Sequence, residues 1–170
     1  MDLKKYVRDI PDFPIPGILF RDITTVLKDS VALAGAVDAM IDLLGDLEFD
    51  IILGPESRGF IFGMPMAYKL RRGFVPVRKA GKLPSEVARR EYALEYGSAV
   101  IEIHKDAIIP GKKYIIADDL LATGGTAKAT ADLITEMGGD VVSMLFFIEL
   151  AELKGREVLD GYDVRSVLVY

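Results

Sequence analysis

Two adjacent carboxylates, Asp118 and Asp119, close an apolar run, and Ala122, Thr123, Gly124, Gly125 and Thr126 follow at once in the stretch YIIADDLLATGGTAKAT. Paired glycines let backbone N–H groups face a ligand without side-chain obstruction, and a helix starting there adds unpaired donors and the positive end of its dipole. The threonine hydroxyls extend that set, so the segment reads as an anion cradle. It lacks the lysine of a Walker loop and the glycine spacing of a dinucleotide fold, which favours a single phosphate. Asp118 and Asp119 are suited to accept hydrogen bonds from the vicinal hydroxyls of a ribose, or to coordinate Mg²⁺ directly or through water. An ordinary turn beside solvated strand-end charges is the plainer alternative, but it needs four features to coincide by chance.

Such a loop must be held by a strand before it and a helix after it. The pattern predicts a strand at 114–117, a loop over ADDLLATGG, a helix at 126–137 stopped by Gly138 and Gly139, and a further strand at 141–150. Upstream, Leu33, Val37, Met40, Ile41 and Leu44 recur at helical spacing, predicting a helix over 30–44 capped by Ser30. DIILGPESRG predicts a short strand at 51–53, a turn, and a helix at 60–70, followed by a strand at 74–77. RKAGKLPSEVARR, basic and bounded by Gly81 and Pro84, is expected to be a mobile loop. EYALEYGSAVIEIH suggests two extended segments broken at Gly97, a hairpin. Residues 1–28, rich in proline and aromatics, read as a lobe or lid. Strands alternating with helices indicate an α/β fold: a parallel twisted sheet flanked by helices, Rossmann-like, with ligands at the carboxyl ends of its strands.

A chain of 170 residues that is 51% hydrophobic can bury one core, so a single domain over 1–170 is expected. No apolar run approaches the roughly 18 residues of a membrane span, and the N-terminal stretch lacks a signal-peptide core, from which a soluble protein with no membrane partner is expected. The absence of cysteine excludes thiolate chemistry and fits a reducing compartment, with cytoplasm the default. A formal net charge of −5 argues against nucleic acid as a partner. His104, the only histidine, ends an expected strand and reads as structural, without a metal role.

The acidic pair followed by TGGT resembles the 5-phosphoribosyl-1-diphosphate (PRPP) motif of the type I phosphoribosyltransferases. FPIPGILFRDIT, GPESRGFIFG, RKAGKLP, LEYG and ELAELKGRE are similar to the adenine-using branch of that family, so the resemblance spans nearly the whole chain. It implies a glycosyltransferase of purine salvage that converts adenine and PRPP to AMP and diphosphate by Mg²⁺-dependent displacement at ribose C1′, and a homodimer in which the RKAGKLP region is open to reaching a neighbouring site. A non-catalytic PRPP- or nucleotide-binding regulator, or an enzyme for another purine, are the alternatives.

By the same resemblance, residues 1–28 form a hood over the base, with Phe20 on the purine face, the Leu19 backbone at its edge, Arg21 as a further polar contact, and Leu150 on the second face. Adenine presents a donor beside an acceptor. A 6-oxopurine reverses that order, and such mispairing discriminates by about 10⁴-fold or more. Arg58, Arg78 and Lys82 are the cations expected around the leaving diphosphate, with Glu56 and Ser57 in the GPESRG turn and the isomer of the bond between them left open; that Lys79 and Lys82 are ordinary solvated cations is the plainer alternative. Mg²⁺ is expected mainly on the substrate's diphosphate and ribose. Glu95 matches the glutamate proposed in the family to take the N7 proton as N9 attacks, Tyr96 would help exclude water, and Arg58 and Lys82 complete the expected catalytic group. Glu149 falls close to the nucleotide. Arg90 and Glu91 are more charged than the resemblance leads one to expect.

Overall fold

The computed structural model describes residues 1–93 and 97–170. Its centre is a seven-stranded sheet of β3 (Ile51–Pro55), β4 (Gly73–Lys79), β5 (Val87–Ala93), β6 (Ser98–His104), β7 (Lys113–Leu121), β8 (Asp140–Glu149) and β9 (Val164–Val169), in the order β5-β6-β4-β3-β7-β8-β9. The strands from β4 to β9 in that order run parallel, while β6 and β5 add an antiparallel edge. Successive residues of a buried strand point to opposite faces, so a sheet covered on both sides needs apolar residues at every position. β3, β7 and β8 supply them. Ile52, Ile115 and Phe147 pack on one face with α2 (Ser30–Asp42) and α3 (Gly59–Leu70). Leu53, Ile116 and Phe146 pack on the other with α4 (Gly125–Glu136).

Ahead of the sheet, β1 (Arg8–Pro11) and β2 (Leu19–Asp22) form a separate antiparallel ribbon, and α1 (Thr24–Lys28) leads from it into the core through Ile23 and Val26. The α2 cap is Asp29, one residue before the expected Ser30: its carboxylate accepts the Val31 and Ala32 N–H groups at 3.0 and 2.9 Å, and the helix ends at Asp42. A carboxylate at the N-cap also meets the helix dipole, which a serine hydroxyl in the first turn cannot do as well.

Two stretches expected to be loops are strand. β7 continues through Asp118 and Asp119 to Leu121, because β8 runs alongside and pairs as far as Glu149. The expected mobile loop becomes β5 from Val87 onward, paired along its length with β6. Its charges are matched by distant partners, Arg89 to Glu102 at 3.2 Å and Arg90 to Asp132 and Glu136 at 3.2 and 2.6 Å. β9 and the short α5 (Gly155–Val158) carry too little periodic signal to be anticipated.

Candidate active site

β7 delivers both aspartates to the carboxyl end of the sheet, and the turn after it hands the chain to α4. Gly124 caps that helix at φ +83°, a backbone conformation glycine adopts without strain, and no side chain caps the helix, leaving its first N–H groups to the cleft. The loop is braced from behind by α5. A Cβ on Gly155 would stand 2.3 Å from the Ala122 carbonyl oxygen, so only glycine allows α5 this close.

A cavity of about 230 Å³ opens there, lined by Glu56, Arg58 and the stretch 118–127. The Asp118 carboxylate accepts the Asp119 N–H at 2.8 Å, and Asp119, 5% exposed, pairs with the Arg58 Nε at 3.0 Å. Burial, then the neighbouring Asp119 charge, pushes the Asp118 carboxyl well above the usual carboxylate range. Burial also raises Asp119, with Arg58 opposing. The acids at this cleft are thus held where added positive charge is strongly favoured.

On the opposite wall, the Glu56 carboxylate accepts from Arg78 Nε at 2.7 Å, Lys82 Nζ at 2.6 Å and the Lys79 N–H at 2.9 Å. Burial pushes Glu56 up, but these donors outweigh it and hold the carboxyl at about 2. The peptide bond between Glu56 and Ser57 is cis, as is the one between Phe13 and Pro14. All three expected cations are therefore brought to one region, each engaged by an acid: Arg58 by Asp119, Arg78 and Lys82 by Glu56.

The residues expected at the base lie outside that cavity's lining. Leu19 is 45% exposed on β2, and the Phe20 ring meets Phe13 edge-on at 5.2 Å. Arg21 pairs with Asp9 and lies 4.0 Å over the Tyr170 ring, while its buried Nε has no hydrogen-bond partner. Tyr170 in turn bonds across to β8, its N–H to the Glu149 carbonyl and its carbonyl to the Ala151 N–H, both at 2.9 Å, so the ribbon docks beside Leu150. Glu95 and Tyr96 lie outside the described residues. His104 Nε2 accepts the Ser85 N–H at 3.4 Å.

Sequence reasoning missed Arg156 and Tyr92. Arg156 holds Glu149, and Tyr92 reaches Thr126. The glycine-arginine pair in ELAELKGRE was the available signal for the first; nothing local marks the second. Among the described residues no cluster of three or more His, Cys, Asp or Glu side chains could cage a metal. The donor set, two adjacent aspartates with one already bound to arginine, fits a metal carried mainly by its ligand.

The profile of the phosphoribosyl transferase domain matches residues 24–169. The chain belongs to the phosphoribosyltransferase family. The adenine phosphoribosyltransferase of Lachnoclostridium phytofermentans is 58% identical over 99% of this chain and 97% of that protein. That of Thermotoga neapolitana is 55% identical over the full length of both. Among solved phosphoribosyltransferases, the adenine enzyme of Thermoanaerobacter pseudethanolicus superposes with a TM-score of 0.97 at 51% identity, covering 99% of this chain and 98% of that one. The Saccharomyces cerevisiae adenine enzyme, solved with an imino-altritol bisphosphate and adenine, gives 0.92 at 40% identity, covering 98% and 96%. The ribbon of β1 and β2 precedes the part of the chain that the domain profile matches.

Proposed function

We propose that this phosphoribosyltransferase transfers the 5-phosphoribosyl group of PRPP to adenine, giving AMP and diphosphate. The observation that carries the reading is the juxtaposition, in one cleft, of an uncapped helix N-terminus behind Thr123–Thr126, the buried Asp118–Asp119 pair and Arg58. The phosphate sits on the glycine loop and the ribose hydroxyls face the aspartates. As the C1′–O bond breaks, diphosphate leaves with the electron pair and positive charge grows on the ribose ring. The two carboxylates, poorly solvated, favour that charge. Arg58, Arg78 and Lys82 receive the leaving group, exchanging their carboxylate partners for phosphate oxygens. The adenine N9 lone pair then forms the C1′–N bond, and Glu95 takes the N7 proton while Tyr96 helps exclude water. Asp118 or Asp119, directly or through water, would help hold a Mg²⁺ carried mainly by the diphosphate and ribose, and such an ion would supply positive charge that favours departure of the diphosphate.

The whole of 1–170 is read as one domain, with residues 1–28 contributing the base hood formed by Leu19, Phe20 and Arg21, and Leu150 below. A cytoplasmic homodimer is part of the same reading; exposed Met64 and Tyr68 on α3 offer an apolar surface for it. Among the described residues no helix is long and apolar enough to cross a membrane.

The test offers adenine, hypoxanthine, guanine and xanthine separately with PRPP and Mg²⁺, following nucleotide and diphosphate, with Glu95→Ala alongside. AMP from adenine alone, and a large loss in the variant, is expected. Product from a 6-oxopurine would overturn the base assignment, and PRPP binding without turnover of any base would favour a regulator.

A further inference from the structure

Tyr92, on β5, reaches from the antiparallel edge of the sheet to the phosphate loop. Its phenol oxygen lies 3.1 Å from Thr126 Oγ1, with either atom able to donate. The ring covers Gly125, with Cδ2 3.5 Å from where a Cβ on that glycine would stand. Two residues earlier, Arg90 bonds to Asp132 and Glu136 on α4, so the same strand is fastened to the same helix twice. The phenol is thereby placed by contacts independent of any ligand. It also lines a second hollow of about 280 Å³ that runs between Thr126 and the Glu56–Arg78 wall.

From this we infer that Tyr92 is a positioning residue that fixes the direction of the Thr126 hydroxyl proton. The inference rests on the reading of residues 122–126 as a phosphate site. A threonine hydroxyl has one proton and two lone pairs. The Thr126 carbonyl already accepts from Thr130 Oγ1 at 2.8 Å, so the side-chain oxygen is the group left to orient. An ionised phosphate oxygen accepts only. When Tyr92 donates to Thr126 Oγ1, the Thr126 proton is released toward the phosphate, and the chain from phenol to hydroxyl to anion runs in one direction, each bond polarising the next. Without the phenol proton, the Thr126 hydroxyl is free to turn to other acceptors. Tyr92 itself need not touch the ligand.

Binding of AMP, adenosine and ribose 5-phosphate to the full chain, measured by calorimetry for wild type, Tyr92→Phe, Thr126→Val and the double variant, tests this. Tyr92→Phe is expected to weaken both phosphorylated ligands about fivefold, the scale of one neutral hydrogen bond, with adenosine binding and Tm unchanged. In the Thr126→Val background the same change should cost under about twofold, because the two residues act as one unit. Thr126→Ser keeps the hydroxyl and should keep the full Tyr92 dependence, a check that survives if the valine variant fails to fold. An equal Tyr92→Phe penalty with and without the Thr126 hydroxyl, or an equal loss for adenosine, overturns the inference alone. A wild-type protein that binds AMP no better than adenosine overturns the phosphate reading and the inference with it.

Discussion

Arg156 grips Glu149 with two nitrogens, Nε at 2.6 Å and Nη2 at 2.8 Å from the two carboxylate oxygens, and donates a third bond to the Val164 carbonyl at 2.7 Å. Ser166 completes the cluster at 2.6 Å from Glu149. Glu149 ends β8, immediately before Leu150, and Arg156 follows Gly155, the residue wedged behind the Ala122 carbonyl. One ion pair therefore ties the end of a core strand to the brace behind the loop that begins at Ala122.

Removing the cation leaves a carboxylate that is 6% exposed without its main partner, whereas the arginine side is about half exposed at 48%, which tempers the cost. Arg156→Met is expected to lose about 2 kcal/mol in urea unfolding. The KM for PRPP should rise more than the KM for adenine in steady-state assays, since the brace supports the loop proposed to hold the phosphate. Unchanged stability would show that the ion pair does not hold α5.

Asp118 predicts the opposite sign for stability. Its folded carboxyl is raised, so the folded state favours the protonated form: the stability this group contributes is present below the ordinary value of 3.8 and is lost as pH rises through the folded value. Asp118→Asn should therefore unfold at a higher temperature than wild type at neutral pH, with the gap closing as pH falls toward 3.8. Turnover should fall at least about a hundredfold if the carboxylate stabilises charge on the ribose. Thermal melts across pH, beside kcat, check both halves; a variant that is less stable at neutral pH would contradict the burial argument.

Glu56 behaves in the reverse way. Its folded carboxyl sits at about 2 against an ordinary 4.5, so its contribution is present above 4.5 and lost as pH falls through about 2. Lys82 is 48% exposed and Arg78 32%, so solvent screens much of the attraction. Glu56→Gln should cost about 1 kcal/mol at neutral pH, with a flatter acid limb than wild type in denaturant titrations. Equal acid limbs would place the wild-type transition elsewhere, Asp22 being the other carboxyl held at about 2, by the Thr24 N–H and then Arg8.

The lining of the cleft at the end of β7 was legible because its residues are contiguous: Asp118 to Thr126 carry acids, glycines and hydroxyls in one short run and line one cavity. The alternation of strand and helix was legible for a similar reason, since Ile52, Leu53, Ile115 and Ile116 are apolar on both faces. Long-range pairing was hidden. Val87–Arg90, the first half of β5, looked like a polar loop because Arg89 and Arg90 find their partners on β6 and α4, and Asp118–Asp119 looked like loop because only the neighbouring β8 shows that pairing continues. The engagement of Arg78 and Lys82 by Glu56 joins residues more than 20 positions apart and leaves no local trace. Asp29 and Ser30 are both good caps, and sequence alone does not choose between neighbours.

The most direct test is a crystal structure of the protein with AMP bound. The account predicts the phosphate on the N–H groups and hydroxyls of Thr123–Thr126, the ribose hydroxyls on Asp118 and Asp119, and the base between Phe20 and Leu150. A phosphate seated instead at the opposite end of the sheet, in the groove lined by Arg72, Lys112 and Lys113, would contradict it.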